Sequence, residues 1–149
     1  MRLSAICFLV LLLASCQPKD ERIIDKEKKI TGLPAGDKKF LALKDTAQKY
    51  MDDFIDHFNK NNQDENYEFR IKSNYSDNGT NEHMWSAPIQ YKNDVFTCIF
   101  TDSAYNIKNV VTGDTVKVNK KDIEDWVIYN YKDSTREGYF SEKYLKGEE

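Results

Sequence analysis

Glu82 and His83 stand side by side, with Trp85 two residues on from the histidine. A carboxyl and an imidazole are the groups that general acid–base chemistry uses near neutral pH. Residues 82 to 91 read as a strand, and successive strand side chains point to opposite faces. His83 and Trp85 therefore share one face, and Glu82 and Met84 share the other, which separates the two halves of a dyad. Two other roles stay open. His83 and Trp85 can form a contact surface, the imidazole hydrogen bonding and the indole stacking. Alternatively the segment is a structural cluster with His83 bonded to backbone.

A second constellation is Asp122, Glu124, Asp125 and Trp126. Asp122 is expected to cap a tight turn and Asp125 to accept backbone amides there. Trp126 opens an apolar strand with Ile128 and is expected in the core. Asp125 and Trp126 are also kept as binding candidates beside Glu82, His83 and Trp85. The carboxylates lack the spaced oxygen ligands and the glycine of a calcium loop. Two histidines and one enclosed cysteine do not make a zinc site. Phosphate-binding glycine loops and a nucleophile elbow are absent, so neither metal nor cofactor is expected. Cys98, between Phe96 and Phe100 on an alternating strand, is expected to be buried and unreactive. His57 is expected at the surface beside Asp53.

The first residues read as an address. Arg2 precedes an uninterrupted apolar run, Ala5 to Ala14. A helix of that length rises about 15 Å, half the hydrocarbon thickness of a bilayer, so it suits a secretory signal and not a spanning helix. Leu13-Ala14-Ser15-Cys16 then resembles the bacterial lipobox, with cleavage between Ser15 and Cys16 and lipid on the Cys16 thiol. Acyl chains there would anchor the mature chain to a membrane. No aspartate follows Cys16, and Lys19-Asp20-Glu21 looks like a surface-export signal. The expected location is the outer membrane, at its periplasmic face or at the cell surface.

Removing Arg2 with the signal takes the formal charge from −3 to −4. A mildly acidic chain without a basic stripe is a poor nucleic-acid binder. Cys7 leaves with the signal and Cys16 carries lipid, so Cys98 has no disulfide partner.

These side chains need elements to position them. Residues 1–15 are read as signal, 16–37 as lipidated cysteine and tether with little fixed structure, and 38–149 as a single α+β domain. Asp37 caps a helix whose apolar face carries Phe40, Leu43, Ala47, Tyr50, Met51, Phe54, Ile55 and Phe58, at steps of three and four. Lys44 lies on its outer face, and Asn61-Asn62 ends it. Strands are expected at 67–75, 82–91, 95–101, 115–118, 125–131 and, short, at 137–140. Asn78-Gly79 and Asn93-Asp94 serve as turns. Residues 102–111 form a connection with room for a short helix. The sum is one amphipathic N-terminal helix on a bent, partly closed antiparallel sheet of about five to six short strands.

Four segments in order carry a resemblance: Glu82-His83-Met84-Trp85, Gly113-Asp114-Thr115-Val116, Asp122-Ile123-Glu124-Asp125-Trp126 and Arg136-Glu137-Gly138-Tyr139. Together they resemble the bacterial family called domain of unknown function 2314, over about residues 47 to 145. Near its end the family has paired glycines where this chain has only Gly138. The resemblance implies a domain but no activity. The leading expectation is a non-enzymatic, lipid-anchored envelope module that binds a protein or glycan. The alternatives are an immunity-type protein that neutralises an envelope-acting toxin, and a hydrolase of envelope polymers using Glu82 or Asp125 as acid/base.

Overall fold

A computed structural model describes residues 23–25, 30–34 and 36–148. The expected signal segment, with Ser15 and Cys16, lies outside the described residues. Within the expected tether, β1 (Ile23–Asp25) and β2 (Ile30–Gly32) pair antiparallel. β-Branched Ile23, Ile24, Ile30 and Thr31 favour this extended backbone. Thr31 Oγ1 donates to the Leu145 carbonyl at 2.6 Å, which ties the pair to the far end of the chain.

The single helix expected from residue 38 onward is two. α1 spans Lys38–Lys49 and α2 spans Met51–Asn61. Asp37 caps α1 by accepting the Phe40 N–H at 2.8 Å. Tyr50 leaves helical geometry, at φ −101° and ψ 15°, and breaks the run. The break has a packing reason. α1 places Ala47 against the Trp126 indole, whose Nε1 donates to the Ala47 carbonyl at 2.9 Å. α2 turns Met51, Phe54 and Phe58 into the sheet, where all three are buried.

The main sheet is wholly antiparallel. Its strands are β3 (Tyr67–Asp77), β4 (Thr80–Lys92), β5 (Val95–Phe100), β6 (Thr115–Asn119), β7 (Ile123–Asn130) and β8 (Thr135–Gly138). Their order is β6-β5-β4-β3-β7-β8, so the sheet is open and not partly closed. It is nevertheless curled. The Phe54 ring lies 5.8 Å from Phe69 on β3, 5.9 Å from Phe96 on β5 and 5.3 Å from Trp126 on β7. In a flat sheet β5 and β7 stand about 14 Å apart, too far for one ring to touch both. Register shifts at Lys72/Ser73 and at Pro88/Gln90 supply the bend, since an extra residue in one strand sharpens its twist.

The turns at Asn78-Gly79 (φ 49° and 81°) and Asn93-Asp94 (φ 52° and 60°) take the left-handed backbone that tight hairpins need. Residues 101–114 carry no helix. The chain closes with α3 (Glu142–Lys146), which the sequence reading did not include. No helix among the described residues is long and apolar enough to cross a membrane.

Candidate functional site

Residues directly opposite in an antiparallel pair share a face. Lys72 on β3 is opposite Trp85 on β4 and Asp125 on β7. Asn74 is opposite His83. His83, Trp85, Lys72 and Asp125 thus project from the face turned away from Phe69, Ile71 and the helical core.

The register shift in β7 adds Glu124 to this group. Lys72 is opposite Asp125 and Ser73 is opposite Ile123, so Glu124 is the extra residue of a bulge. Its carboxylate is buried yet reaches His83, with Nδ1 and Oε2 2.5 Å apart. The other oxygen takes Lys44 Nζ at 3.4 Å. Lys44, expected on the outer face of its helix, is therefore turned onto the sheet. Phe40, one helical turn earlier, meets the His83 ring edge-on at 5.4 Å. His83 is held by a carboxylate from another strand, not by backbone.

Trp85 is fixed through its main chain. Its N–H donates to Asp102 Oδ2 at 3.0 Å, and its carbonyl accepts Thr101 Oγ1 at 3.1 Å. The half-buried indole lies 5.8 Å from the Tyr139 ring and 5.3 Å from Lys72 Nζ. Arg136 and Lys146 flank Tyr139, at 4.4 Å and 5.7 Å from its ring. Glu142 bridges Lys72 (3.8 Å) and Lys146 (3.2 Å). Burial pushes the Lys72 ammonium below its ordinary range, and Glu142 opposes that shift.

Tyr139 is presented by a tense backbone. Gly138 (φ 78°) and Tyr139 (φ 64°) are both left-handed, a conformation that suits glycine and burdens an aromatic residue. Paired glycines would fit this turn, and the chain spends its second position on a ring.

The other expected site residues are placed differently. Asp125 is fully buried and Trp126 nearly so, and neither offers a contact surface. Asp125 accepts N–H bonds from Trp126 (2.8 Å), Phe140 (3.1 Å) and Ser141 (2.8 Å), and the Ser141 hydroxyl at 2.6 Å. It fastens the C-terminal segment to β7. Burial pushes its carboxyl pKa up, against those four bonds. Glu82 spends both oxygens on backbone, accepting from Tyr105 N at 2.9 Å and Asn106 N at 2.5 Å. It anchors the 101–114 connection, and neither proposed acid/base is held ready for a substrate. Asp122 accepts the Asn119 side chain at 2.9 Å, not a turn amide. Cys98 is fully buried, and desolvation pushes its thiol up to about 11. His57 is half-buried and not paired with Asp53: its Nδ1 is enclosed with no hydrogen-bond partner among the described residues.

Sequence reasoning does not single out Lys72, places Lys44 on an outer helix face, and reaches Arg136 and Tyr139 only within a family segment and Glu124 only as one of three neighbouring carboxylates. Only the left-handed turn left a trace, as Gly138 in the Arg136-to-Tyr139 segment. The bulge that aims Glu124 has no sequence signature.

Residues 37–147 match the model of a family described as an uncharacterized protein conserved in bacteria, DUF2314. The uncharacterized protein YegJ of Escherichia coli (strain K12) is 33% identical over 93 residues, which cover 62% of this chain. The match spans 58% of that relative's length. No solved structure matches the chain.

Proposed function

The chain belongs to the uncharacterized bacterial DUF2314 family, and we propose that it is a lipid-anchored envelope protein, a non-enzymatic binding module for a protein or glycan. The observation that carries the binding role is the Trp85–Tyr139 pair, two half-buried rings 5.8 Å apart with Arg136 and Lys146 at their margin. Aromatic planes stack on sugar rings and on partner side chains, and flanking cations select for negative charge. Strain held at Tyr139 supports a binding role, since such backbone persists where it presents a side chain. The anchoring proposal rests on Leu13-Ala14-Ser15-Cys16 after a short apolar run. It places the domain at the outer membrane, at the periplasmic face or the cell surface.

Two measurements test the two halves. Cells fed labelled palmitate should incorporate it into the wild-type chain and not into Cys16→Ser; equal labelling of both would overturn the anchor. Cross-linking capture from living cells should recover a partner with the lipidated, tagged wild type and lose it with a folded Trp85→Ala variant. Recovery of the same partners by both would remove the binding role from this face.

A further inference from the structure

The edge strand β6 borders a cleft of about 680 Å³, and all five of its residues, Thr115 to Asn119, line that cleft without a gap. Side chains on one strand face come at every second residue, so an unbroken run of lining residues places the cleft against the strand's edge. The opposite wall includes Ser73, Asn74 and Ser76 of β3 and Asn109.

The hydrogen-bond phase shows what that edge offers. Phe100 N donates to the Asp114 carbonyl and Lys120 N to the Asp94 carbonyl, both at 2.8 Å. Between these bonds the register pairs Cys98 with Val116 and Phe96 with Val118. In an antiparallel ladder every second residue exchanges bonds with its neighbour. Asp114, Val116, Val118 and Lys120 therefore face β5, and the N–H and C=O groups of Thr115, Lys117 and Asn119 point away from it. The Asn119 carbonyl opens the 3-10 turn Lys120–Asp122; the other outward groups meet no second strand among the described residues.

Two further observations point to a ligand. Ser73 Oγ is buried and bonded to nothing among the described residues, a loss that a partner in the cleft would recover. Lys44 is paired with Glu124, which leaves Asp114 and Asp122 at the lining against Lys117, one negative charge in excess.

We infer that this cleft takes an extended peptide segment, added as a strand on the free edge of β6 and carrying a basic side chain. Backbone bonds to Thr115, to Lys117 and to the Asn119 N–H supply affinity, and the acidic margin supplies selection. At about 3.3 Å per residue the edge accommodates roughly five residues of the guest. The guest's backbone bonds fall on β6 and use neither Trp85 nor Tyr139, although the cleft shares Lys44, Asn74 and Glu124 with the His83 end of that face.

The test is to pan a phage-displayed library of random heptapeptides on the full chain, then follow amide exchange with the enriched synthetic peptide. The expected result is enrichment of basic peptides that slow exchange at Thr115, Lys117 and Asn119 by about tenfold or more, with Val116 and Val118 little changed. Lys117→Pro removes an outward N–H and no bond to β5, and should weaken binding about tenfold, whereas Lys117→Ala, which loses the same side chain but keeps the N–H, should bind within about threefold of wild type. If Lys117→Pro does not fold, the exchange pattern of the wild type decides. No enrichment, or protection elsewhere, would overturn the inference. Concentration-dependent protection of the same amides without peptide would overturn it too, by assigning the edge to a second copy of the chain.

Discussion

Gly138 lies so close to Trp126 that a Cβ on it would stand 2.3 Å from the Trp126 carbonyl oxygen and 2.5 Å from the indole Cε3. The carbonyl is also the acceptor of the Tyr139 N–H, at 2.8 Å. The last strand is thus seated on the core through a position with no room for a side chain. Gly138→Ala meets rigid backbone and a buried ring together and adds left-handed strain. We expect a loss of about 2–4 kcal/mol in urea unfolding; a loss under about 0.5 kcal/mol would contradict the close approach.

Tyr139→Gly should behave differently. Glycine relieves the left-handed backbone while the ring contacts to Trp85 and Arg136 are lost. The two effects oppose, and stability should stay within about 1 kcal/mol of wild type. Trp85 emission should shift to the red as the indole gains water. An unchanged spectrum would show that Tyr139 does not shield it.

Asp125 holds three backbone amides and a hydroxyl in a buried setting. Asp125→Ala leaves those donors without an acceptor. The expected cost is about 3–5 kcal/mol, with early loss of amide protection at Phe140 and Ser141. Global unfolding at wild-type denaturant with 140 and 141 still protected would refute the fastening role.

His83 and Glu124 should be energetically coupled, because their side chains bond across two strand spacings. In a double-mutant cycle of His83→Ala and Glu124→Gln we expect a coupling on the order of 1 kcal/mol. Strict additivity would reduce the contact to coincidence. Glu124→Gln alone should also loosen Lys44, read as faster exchange near the middle of α1.

Lys72 makes a pH prediction with a definite sign. Burial lowers its pKa from the ordinary 10.5 in the folded chain. Between the lowered value and 10.5 the unfolded chain binds the extra proton, so the contribution of Lys72 to stability rises as pH climbs through that window. Urea unfolding of wild type and Lys72→Met across the alkaline range should show wild type gaining on the variant as pH approaches 10.5. A constant difference would mean that Lys72 keeps its ordinary pKa.

Local signals were legible in the amino-acid sequence. The 3.6-residue spacing from Phe40 to Phe58 indicates helix, Asp37 its start, and Asn78-Gly79 and Asn93-Asp94 the hairpins that set β3, β4 and β5 in antiparallel order. Alternation around Cys98 places that thiol inside. These follow from backbone sterics and from which side chains leave water, properties that neighbouring residues decide among themselves. The four ordered segments also pointed to the family that the chain belongs to. Tertiary structure decided the rest. Tyr50 breaks the helix because Ala47 must meet Trp126 while Phe54 and Phe58 fill the curled sheet. One extra residue in β7 turns Glu124 toward His83, although 41 residues separate them. Glu82 and Asp125, which looked like chemistry, are spent on backbone amides of segments that only folding brings near. A side chain's neighbours within a turn or strand are encoded by spacing, but its partners across the sheet depend on register, bulges and curl, which arise only when the whole chain packs.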